Sequence, residues 1–334
     1  LAVKNQEDQL EQDGYLREFE LALYSEIDHN WKGSMSFVYA KDANEEMATE
    51  IHEAFVQSSN LFMGDTLKIG QFFLGLGKLN RTHRHEWSFT TSPFFFSEYF
   101  GSEGVIDTGA EYTHRLGTSQ NIQITLGLTK GNEFVHEHGH EEEVVEEEKS
   151  NAQWPTHYLR VGGFNEMSTT TGVEYGLNYL GRKDAAKVTW NYAGADFTFK
   201  KRVGKHIDWK VQAEYWQRTY KENQEDEQSD NGAYILLEKG LDQHHSFGLL
   251  YGIYNAADKH EEQGHVHEET EGRVVEDEFR ETTLQYTYSN SEFMKYRFSA
   301  SLESGLVKDE EEIDNYKYQI QMVFNIGKHP IHLF

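Results

Sequence analysis

The amino-acid sequence predicts an all-β fold, a transmembrane antiparallel β-barrel of about 16 strands, with 14 or 18 strands as alternatives. Three observations lead to this fold class. Apolar and polar residues alternate in many stretches of the chain, only 3 of the 334 residues are proline, and 14% are aromatic. Proline cannot donate to a strand ladder, so a closed sheet excludes it from most of its length. Aromatic side chains are typical of the girdles where a barrel meets the membrane interfaces.

The alternation defines the predicted strands one by one. It is clearest near the C-terminus, where one face would carry Tyr316, Tyr318, Ile320, Met322, Phe324 and Ile326. Similar faces recur at residues 19–23, 122–128, 173–179, 207–215, 247–253 and 296–302. Apolar faces about 10 residues long match a tilted bilayer crossing, whereas strands of soluble proteins usually have about 5–6 residues. One stretch changes phase, from Trp190 and Tyr192 to Ala195 and Phe197, which predicts a β-bulge near residues 193–194.

Composition excludes several other classes of protein. The net charge is -26 and 26% of the residues are charged. No run of about 18 apolar residues occurs, which excludes a transmembrane helix but not a barrel, because a barrel strand presents only every second residue to lipid. Cysteine is absent, which removes disulfide scaffolds and thiolate metal sites. The acidic balance disfavours a nucleic-acid partner.

The connections between the predicted strands differ in length at the two ends of the barrel. Long polar loops are predicted near residues 132–153, 221–231, 256–276 and 306–314. Short connections are predicted near residues 117–121, 201–205, 240–244 and 289–293. Long outer loops and short periplasmic turns are typical of barrels in the outer membrane of Gram-negative bacteria. About 15 strands are counted directly, and an even strand number requires one more, which the parity places at the N-terminus and ending at residues 1–3.

Residues 1–334 are predicted to form a single barrel domain with one unusual segment, residues 76–101. This segment is aromatic, carries Pro93, and makes a poor strand. We expect it to fold into the barrel mouth as a constriction loop, with packing on the outer rim as the alternative. The predicted pore-lining or constriction residues, in the segment and on the strands, are Lys78, Arg81, His83, His85, Arg160, Lys210, Arg280, Lys295 and Arg297. Inward glutamates accompany them, so selectivity stays open, although the net charge favours cation attraction.

Two predicted outer loops are rich in histidine and glutamate. The histidines, which are candidate metal ligands, are His136, His138, His140, His260, His265 and His267. Imidazole beside carboxylate suits borderline divalent metals such as zinc. The alternative is a solvated acidic loop that binds no metal. His83 and His85 are also metal candidates, with ordinary loop hydrogen bonding as their alternative. No cofactor is required, and any zinc or other divalent metal is expected to bind weakly.

Three stretches carry a family resemblance: KIGQFFLGLGKLNRTHRHEW, FFFSEYFGSEGVIDTGAEY and FNIGKHPIHLF. The matching positions are Gly77, Lys78, Asn80, Arg81, His83, His85, Phe100, Gly101, Glu103, Gly104, Asp107, Gly109, Gly327, His329, Pro330, His332 and Phe334. The chain resembles porin-like outer-membrane proteins often described as zinc-regulated, which are distantly similar to phosphate-selective porins. This resemblance implies a 16-stranded barrel and a link to zinc. Phe334 resembles the terminal aromatic residue that the barrel-assembly machinery reads, although His332 stands where an apolar residue is more usual.

The function predicted first is a porin-like outer-membrane channel for passive diffusion of small solutes or ions, with a link to zinc acquisition. The alternative is a surface recognition or adhesion barrel with a closed lumen. An enzyme is not expected, because the sequence has no GxSxG, HExxH, phosphate loop or nucleophilic cysteine. The expected partners are outer-membrane lipid and lipopolysaccharide, the barrel-assembly machinery, small solutes or ions, and further copies of the chain in a homo-oligomer.

Overall fold

The structure is a computed structural model that describes most of the chain. The described residues are 2–6, 9–13, 16–41, 47–58, 61, 64–117, 121–131, 154–183, 187–204, 206–221, 227–256, 274–308 and 311–326. The strands are β1 (Ala2–Gln6), β2 (Gln9–Asp13), β3 (Glu18–Glu26), β4 (Trp31–Lys41), β5 (Met47–Ser58), β6 (Thr66–Phe73), β7 (Ile106–Arg115), β8 (Gln123–Thr129), β9 (Trp154–Ser168), β10 (Thr171–Lys183), β11 (Thr189–Val203), β12 (His206–Lys221), β13 (Gln228–Gly240), β14 (His245–Asn255), β15 (Val274–Ser291), β16 (Met294–Lys308) and β17 (Glu311–Phe324). The helices are α1 (Phe94–Phe100) and one 3₁₀ turn (Arg84–Glu86). None of the helices in these residues is long and apolar enough to cross a membrane.

The strands form one antiparallel sheet that follows chain order. Each strand from β3 to β17 pairs antiparallel with its neighbour in sequence. Strand β1 pairs antiparallel with β2 and with β17, where Val3 lies opposite Tyr318. The predicted antiparallel β-barrel is thereby confirmed. The extra N-terminal strand is present as well, although it runs from Ala2 to Gln6 rather than ending at residue 3.

The strand count agrees with the parity argument. Strands β2 and β3 are separated in sequence by residues 14–17, and counting them as two parts of one strand gives sixteen strands among the described residues. An antiparallel ring requires an even number, because each strand reverses the direction of the one before it.

Where the structure describes their side chains, the strands have an apolar outer face and, for the most part, a polar inner face. On the outer face Leu177 is 67% exposed and Leu284 is 61% exposed, whereas the next residues on the inner face, Asn178 and Thr283, are buried. A wide belt of exposed apolar side chains is unstable in water and stable against lipid hydrocarbon. The belt therefore marks the surface that crosses the membrane.

The bulge predicted in β11 is wrong. Residues 193–194 pair in unbroken register with both β10 and β12, and the irregularity against β12 lies at Lys201 and Arg202 instead. Tyr192 stays on the inner face, where it is buried, while Phe197 stays on the outer face. The apparent change of phase arises because both faces of β11 are apolar here, the outer one against lipid and the inner one against an enclosed aromatic cluster.

The asymmetry of the connections is confirmed. The long ones, at residues 74–105, 130–153 and 256–273, all leave the same end of the sheet. Connections at the other end run from two residues, at 169–170, to seven, at 116–122.

Two loops predicted to be long are short. Strands β16 and β17 are joined through residues 309–310, and β12 and β13 through residues 222–227. The strands extend beyond the apolar belt with polar residues on both faces, so polarity alone did not distinguish these strand ends from loops.

Candidate functional site

Residues 74–105, here called the inner segment, lie inside the barrel. The segment connects β6 to β7 at the end of the long loops. It makes hydrogen bonds to inner-face side chains of strands around the sheet: His83 with Glu53, Gly77 with Asn178, Leu79 with Glu214, Phe94 with Glu281, and Thr90 with Ser299 and Gln319. A segment that contacts the same face of β5, β10, β12, β15, β16 and β17 is enclosed by the sheet. The packing on the outer rim that was the alternative is not observed for these residues.

An aromatic cluster anchors the inner segment to one part of the wall. The segment contributes Leu76, Leu79, Trp87, Phe89, Phe95, Phe96, Tyr99 and Phe100. The wall contributes Tyr158, Tyr192, Trp216, Tyr234, Tyr254 and Phe279. The ring of Phe100 meets that of Trp216 edge to face, with centroids 4.9 Å apart. Each such buried side chain stabilises the folded state by about 1.5–3 kcal/mol, so the cluster holds the segment firmly against β9 to β15.

Asn80 closes the inner segment on itself. Its Nδ2 donates to the backbone carbonyls of Leu74 and Val105, at 2.8 and 3.3 Å. Its Oδ1 accepts from the Val105 amide at 2.6 Å. Gly104 lies beside it with φ +97°, and a Cβ at that position would approach Asn80 Oδ1 to 2.7 Å. One side chain thus joins the entrance of the segment to its exit, and glycine leaves the space for it.

Three predicted pore-lining residues come together in an ion-pair network. Lys78 and Arg81 contact the two oxygens of Glu174 at 2.6 and 2.7 Å, and Arg160 contacts Asp196 at 2.6 Å. Burial lowers the pKa of Lys78, and the charge of Glu174 opposes that effect. Because carboxylates compensate these cations, the three residues do not form a purely basic ladder.

A second basic group lies on the inner faces of β12 and β16. Lys210 donates to Ser88 of the inner segment at 2.8 Å, and Arg297 donates to Gln321 at 3.0 Å. Lys210 also interacts electrostatically with Lys295 and Arg297, and with the carboxylate of Glu238. Lys210, Lys295 and Arg297 therefore share one part of the lumen wall.

Arg280 does not belong to the lining, which corrects its predicted inward position. Its side chain is 58% exposed and pairs with Glu278. In β15 the inner face carries Phe279 and Glu281, both buried, while Arg280 shares the outer face with Leu284. The period of two counted back from Leu284 already places Arg280 outside.

Carboxylates surround His83 and His85 of the inner segment. This acidic group consists of Glu18, Glu20, Glu53 and Glu86. A register shift between β4 and β5 makes His52 an extra residue, since Ser36 pairs with Glu53 and Phe37 with Ile51. Such a bulge turns two successive side chains to one face. His52 then lies 3.3 Å from Glu103, while Glu53 lies 3.2 Å from His83.

His83 and His85 converge on Glu20 of β3. The Nδ1 atom of His83 lies 3.6 Å from one Glu20 oxygen, and the Nδ1 atom of His85 lies 3.3 Å from the other. Burial, the largest influence, lowers the pKa of His83, but hydrogen bonds to Glu20 and Glu53 and the charges of these carboxylates raise it to about 10. The surroundings of His83 therefore strongly favour the protonated, positively charged form of its imidazole.

The remaining predicted residues lie outside the described part of the chain. They are the loop histidines His136, His138, His140, His260, His265 and His267, and the C-terminal motif positions Gly327, His329, Pro330, His332 and Phe334.

Buried carboxylates on the wall were missed as partners of the inner segment. Glu214 accepts from the Leu79 amide at 2.7 Å, and Asp230 forms a bidentate pair with Arg218 while accepting from Tyr99 at 2.8 Å. Their inward direction follows from strand alternation. Their partners do not, because these contacts join residues more than a hundred positions apart.

Comparisons with known proteins show the fold. No protein-family model matches the chain. An uncharacterized protein of Aquifex aeolicus (strain VF5) is 30% identical over 92 residues, which are 28% of this chain and 18% of that protein, so the match spans less than a fifth of that relative.

Several solved structures resemble almost the whole chain. The anion-selective porin of Comamonas acidovorans has a TM-score of 0.61 at 9% identity, covering 97% of this chain and 95% of its own. OprB of Pseudomonas putida has a TM-score of 0.58 at 8% identity, covering 92% and 87%. The outer-membrane channel DcaP of Acinetobacter baumannii has a TM-score of 0.55 at 10% identity, covering 92% and 84%. With its apolar outer belt, the chain is an outer-membrane β-barrel of the porin fold.

Proposed function

We propose that this protein is a porin-like channel for passive diffusion of small hydrophilic solutes or ions, narrowed by the inner segment. The observation that carries the proposal is that the inner segment, which starts at the end of the barrel with the long connections, is attached to inner-face residues around the wall. A fixed segment in this position reduces the cross-section of the lumen. The same proposal gives the wall and the inner segment a structural role and assigns no catalytic activity to the protein.

Partly exposed charges inside the barrel support a hydrated passage. Arg81, Glu103 and Lys317 retain 29%, 28% and 24% exposure of their side chains on the enclosed side. Charged groups avoid an apolar filling and remain where water reaches them. The aromatic cluster occupies the part of the lumen next to β9–β15, so the open passage is narrower than the barrel itself.

Charges of both signs lie on the enclosed side of the barrel, around this passage. The acidic group lies on β3, β5 and the inner segment, and the basic group on β12 and β16. Opposite charges on different parts of a wall create a transverse field that orients polar solutes. We therefore expect weak ion selectivity.

Planar-bilayer recording tests the proposal. Purified full-length protein should give stepwise ionic currents, and a variant with residues 82–100 replaced by a short Gly-Ser linker should give larger steps. Heat-modifiable gel migration and strand content by circular dichroism establish that the variant is folded. The adhesion alternative predicts no steps from a folded protein. Folded protein without current, or equal steps from both proteins, would reject the constricted channel.

A link to zinc acquisition is a separate proposal. It is supported by the six histidines of the outer loops and by the family resemblance, since imidazole and carboxylate together attract borderline divalent cations. Calorimetry of the intact protein against a variant with all six replaced by alanine tests it. Equal heats of zinc binding from the two proteins would reject a role for these loops.

A further inference from the structure

Three side chains that meet where the inner segment faces β3 have the composition of a metal site. Glu20 of β3 and His83 and His85 of the segment each offer one ligand atom, and these atoms all lie within 4.8 Å of one another. Their side chains are only 15%, 19% and 17% exposed. The cluster therefore lies on the enclosed side of the barrel wall.

The distances fit a single bound cation. In a four-coordinate zinc site the ligand atoms lie about 2.0–2.2 Å from the metal and hence about 3.3 Å from one another. The Nδ1 atoms of His83 and His85 lie 3.6 and 3.3 Å from the two Glu20 oxygens. Small side-chain rotations would aim both Nδ1 atoms and one carboxylate oxygen at a common point.

The opposite ring nitrogens also have suitable partners. His83 Nε2 lies 3.2 Å from Glu53, and His85 Nε2 lies 3.7 Å from Glu86. Metal-binding histidines usually present their second nitrogen to a carboxylate, which fixes the ring and makes the ligating nitrogen more basic. His83 has that arrangement, and His85 Nε2 faces the carboxylate of Glu86 at the longer distance of an ion pair.

The charge balance favours a dication in the same place. Four carboxylates, those of Glu18, Glu20, Glu53 and Glu86, lie within 4.0 Å of the two imidazoles. Even with both rings protonated, the negative charges outnumber the positive ones. Partly buried like charges repel strongly, and a divalent ion offsets two of them.

We propose that Glu20, His83 and His85 bind one borderline divalent cation of the zinc class, which fastens the inner segment to β3. Two imidazoles and one carboxylate are the ligand types that zinc takes, and three protein ligands leave a coordination position for water or for Glu18. The site is distinct from the loop histidines and does not depend on the channel proposal.

Zinc titration by calorimetry tests the site. The protein is the full chain in detergent with the six loop histidines replaced by alanine, so that the His-rich loops do not contribute to the measured binding. We expect one zinc per chain. His83→Ala or His85→Ala should weaken zinc binding at least about 100-fold, because each removes a ligand. Glu53→Gln should weaken it about 10–100-fold, because it changes only the carboxylate beside the second ring nitrogen of His83. His114→Ala is the matched control, because His114 pairs with Asp65 instead of with the cluster, at 2.9 Å, and it should leave zinc affinity unchanged.

Cobalt absorption keeps the test decisive if a histidine variant does not fold. Cobalt bound to the parent protein should give the visible d–d bands of a low-coordinate nitrogen and oxygen site, and one equivalent of zinc should remove them. Absence of stoichiometric zinc binding at millimolar concentration, absence of these bands, or folded His83 and His85 variants with parental affinity would each overturn the proposal.

Discussion

Replacing Asn80 by alanine tests whether one side chain closes the inner segment. Asn80 is 2% exposed and makes three hydrogen bonds that join Leu74 to Val105. The Asn80→Ala variant leaves two buried carbonyls and one buried amide without this partner. Each such bond contributes about 0.5–1.5 kcal/mol net, so the closed segment should lose about 2–4 kcal/mol relative to an opened one. Asn80→Asp should cost at least as much, because a carboxylate would face the two carbonyl oxygens.

Hydrogen exchange followed by mass spectrometry measures this loss where it occurs. If the segment opens locally, a decrease of about 2–4 kcal/mol in its free energy of opening corresponds to roughly 30- to 900-fold faster exchange of its amides. The amides of the distant strand β14 should exchange at the parental rate. Asn30→Ala, in an exposed turn, is the control and should change nothing in the segment. Segment amides that exchange within about threefold of the parental rate in folded Asn80→Ala would refute the clamp.

Four further substitutions test the packing and the assignment of faces. Trp216→Ala should lower the free energy of unfolding by about 3–5 kcal/mol, because it leaves a cavity beside Phe100; urea titration in micelles measures it, and a loss under about 1 kcal/mol would contradict this packing. Arg218→Ala should cost about 3–5 kcal/mol in the same titration, because it leaves the buried carboxylate of Asp230 without its bidentate partner, and a variant as stable as the parent would contradict that. Lys210→Glu should shift the reversal potential in a KCl gradient toward cations, whereas Arg280→Glu on the outer face should not; equal shifts would show that the faces are misassigned.

Strand alternation predicted most of the barrel because the outer face meets a uniform solvent. Every outward residue in the membrane faces lipid, so Leu177, Leu284 and Ile320 obey one rule wherever they lie along the chain. The rule fails where the inner face is also apolar. Tyr192 and Trp216 pack against the inner segment, and the sequence around Tyr192 consequently imitates a bulge that does not exist. A bulge that alternation did not reveal lies at His52 in β5, where neighbouring polar residues reduce the contrast between the two faces.

The inner segment explains why inward charge in the sequence is a poor guide to selectivity. A loop with little regular structure inside a barrel leaves backbone amides that must find acceptors, since buried amides are costly when unpaired. The wall supplies these acceptors through Asn178, Glu214 and Glu281, which receive the amides of Gly77, Leu79 and Phe94. Glu174 and Asp196 are similarly committed to the cations Lys78, Arg81 and Arg160. These wall groups hold the segment, so solutes meet mainly the charges that the segment leaves uncovered. The sequence alone does not identify these charges, because they depend on which wall residues the segment contacts.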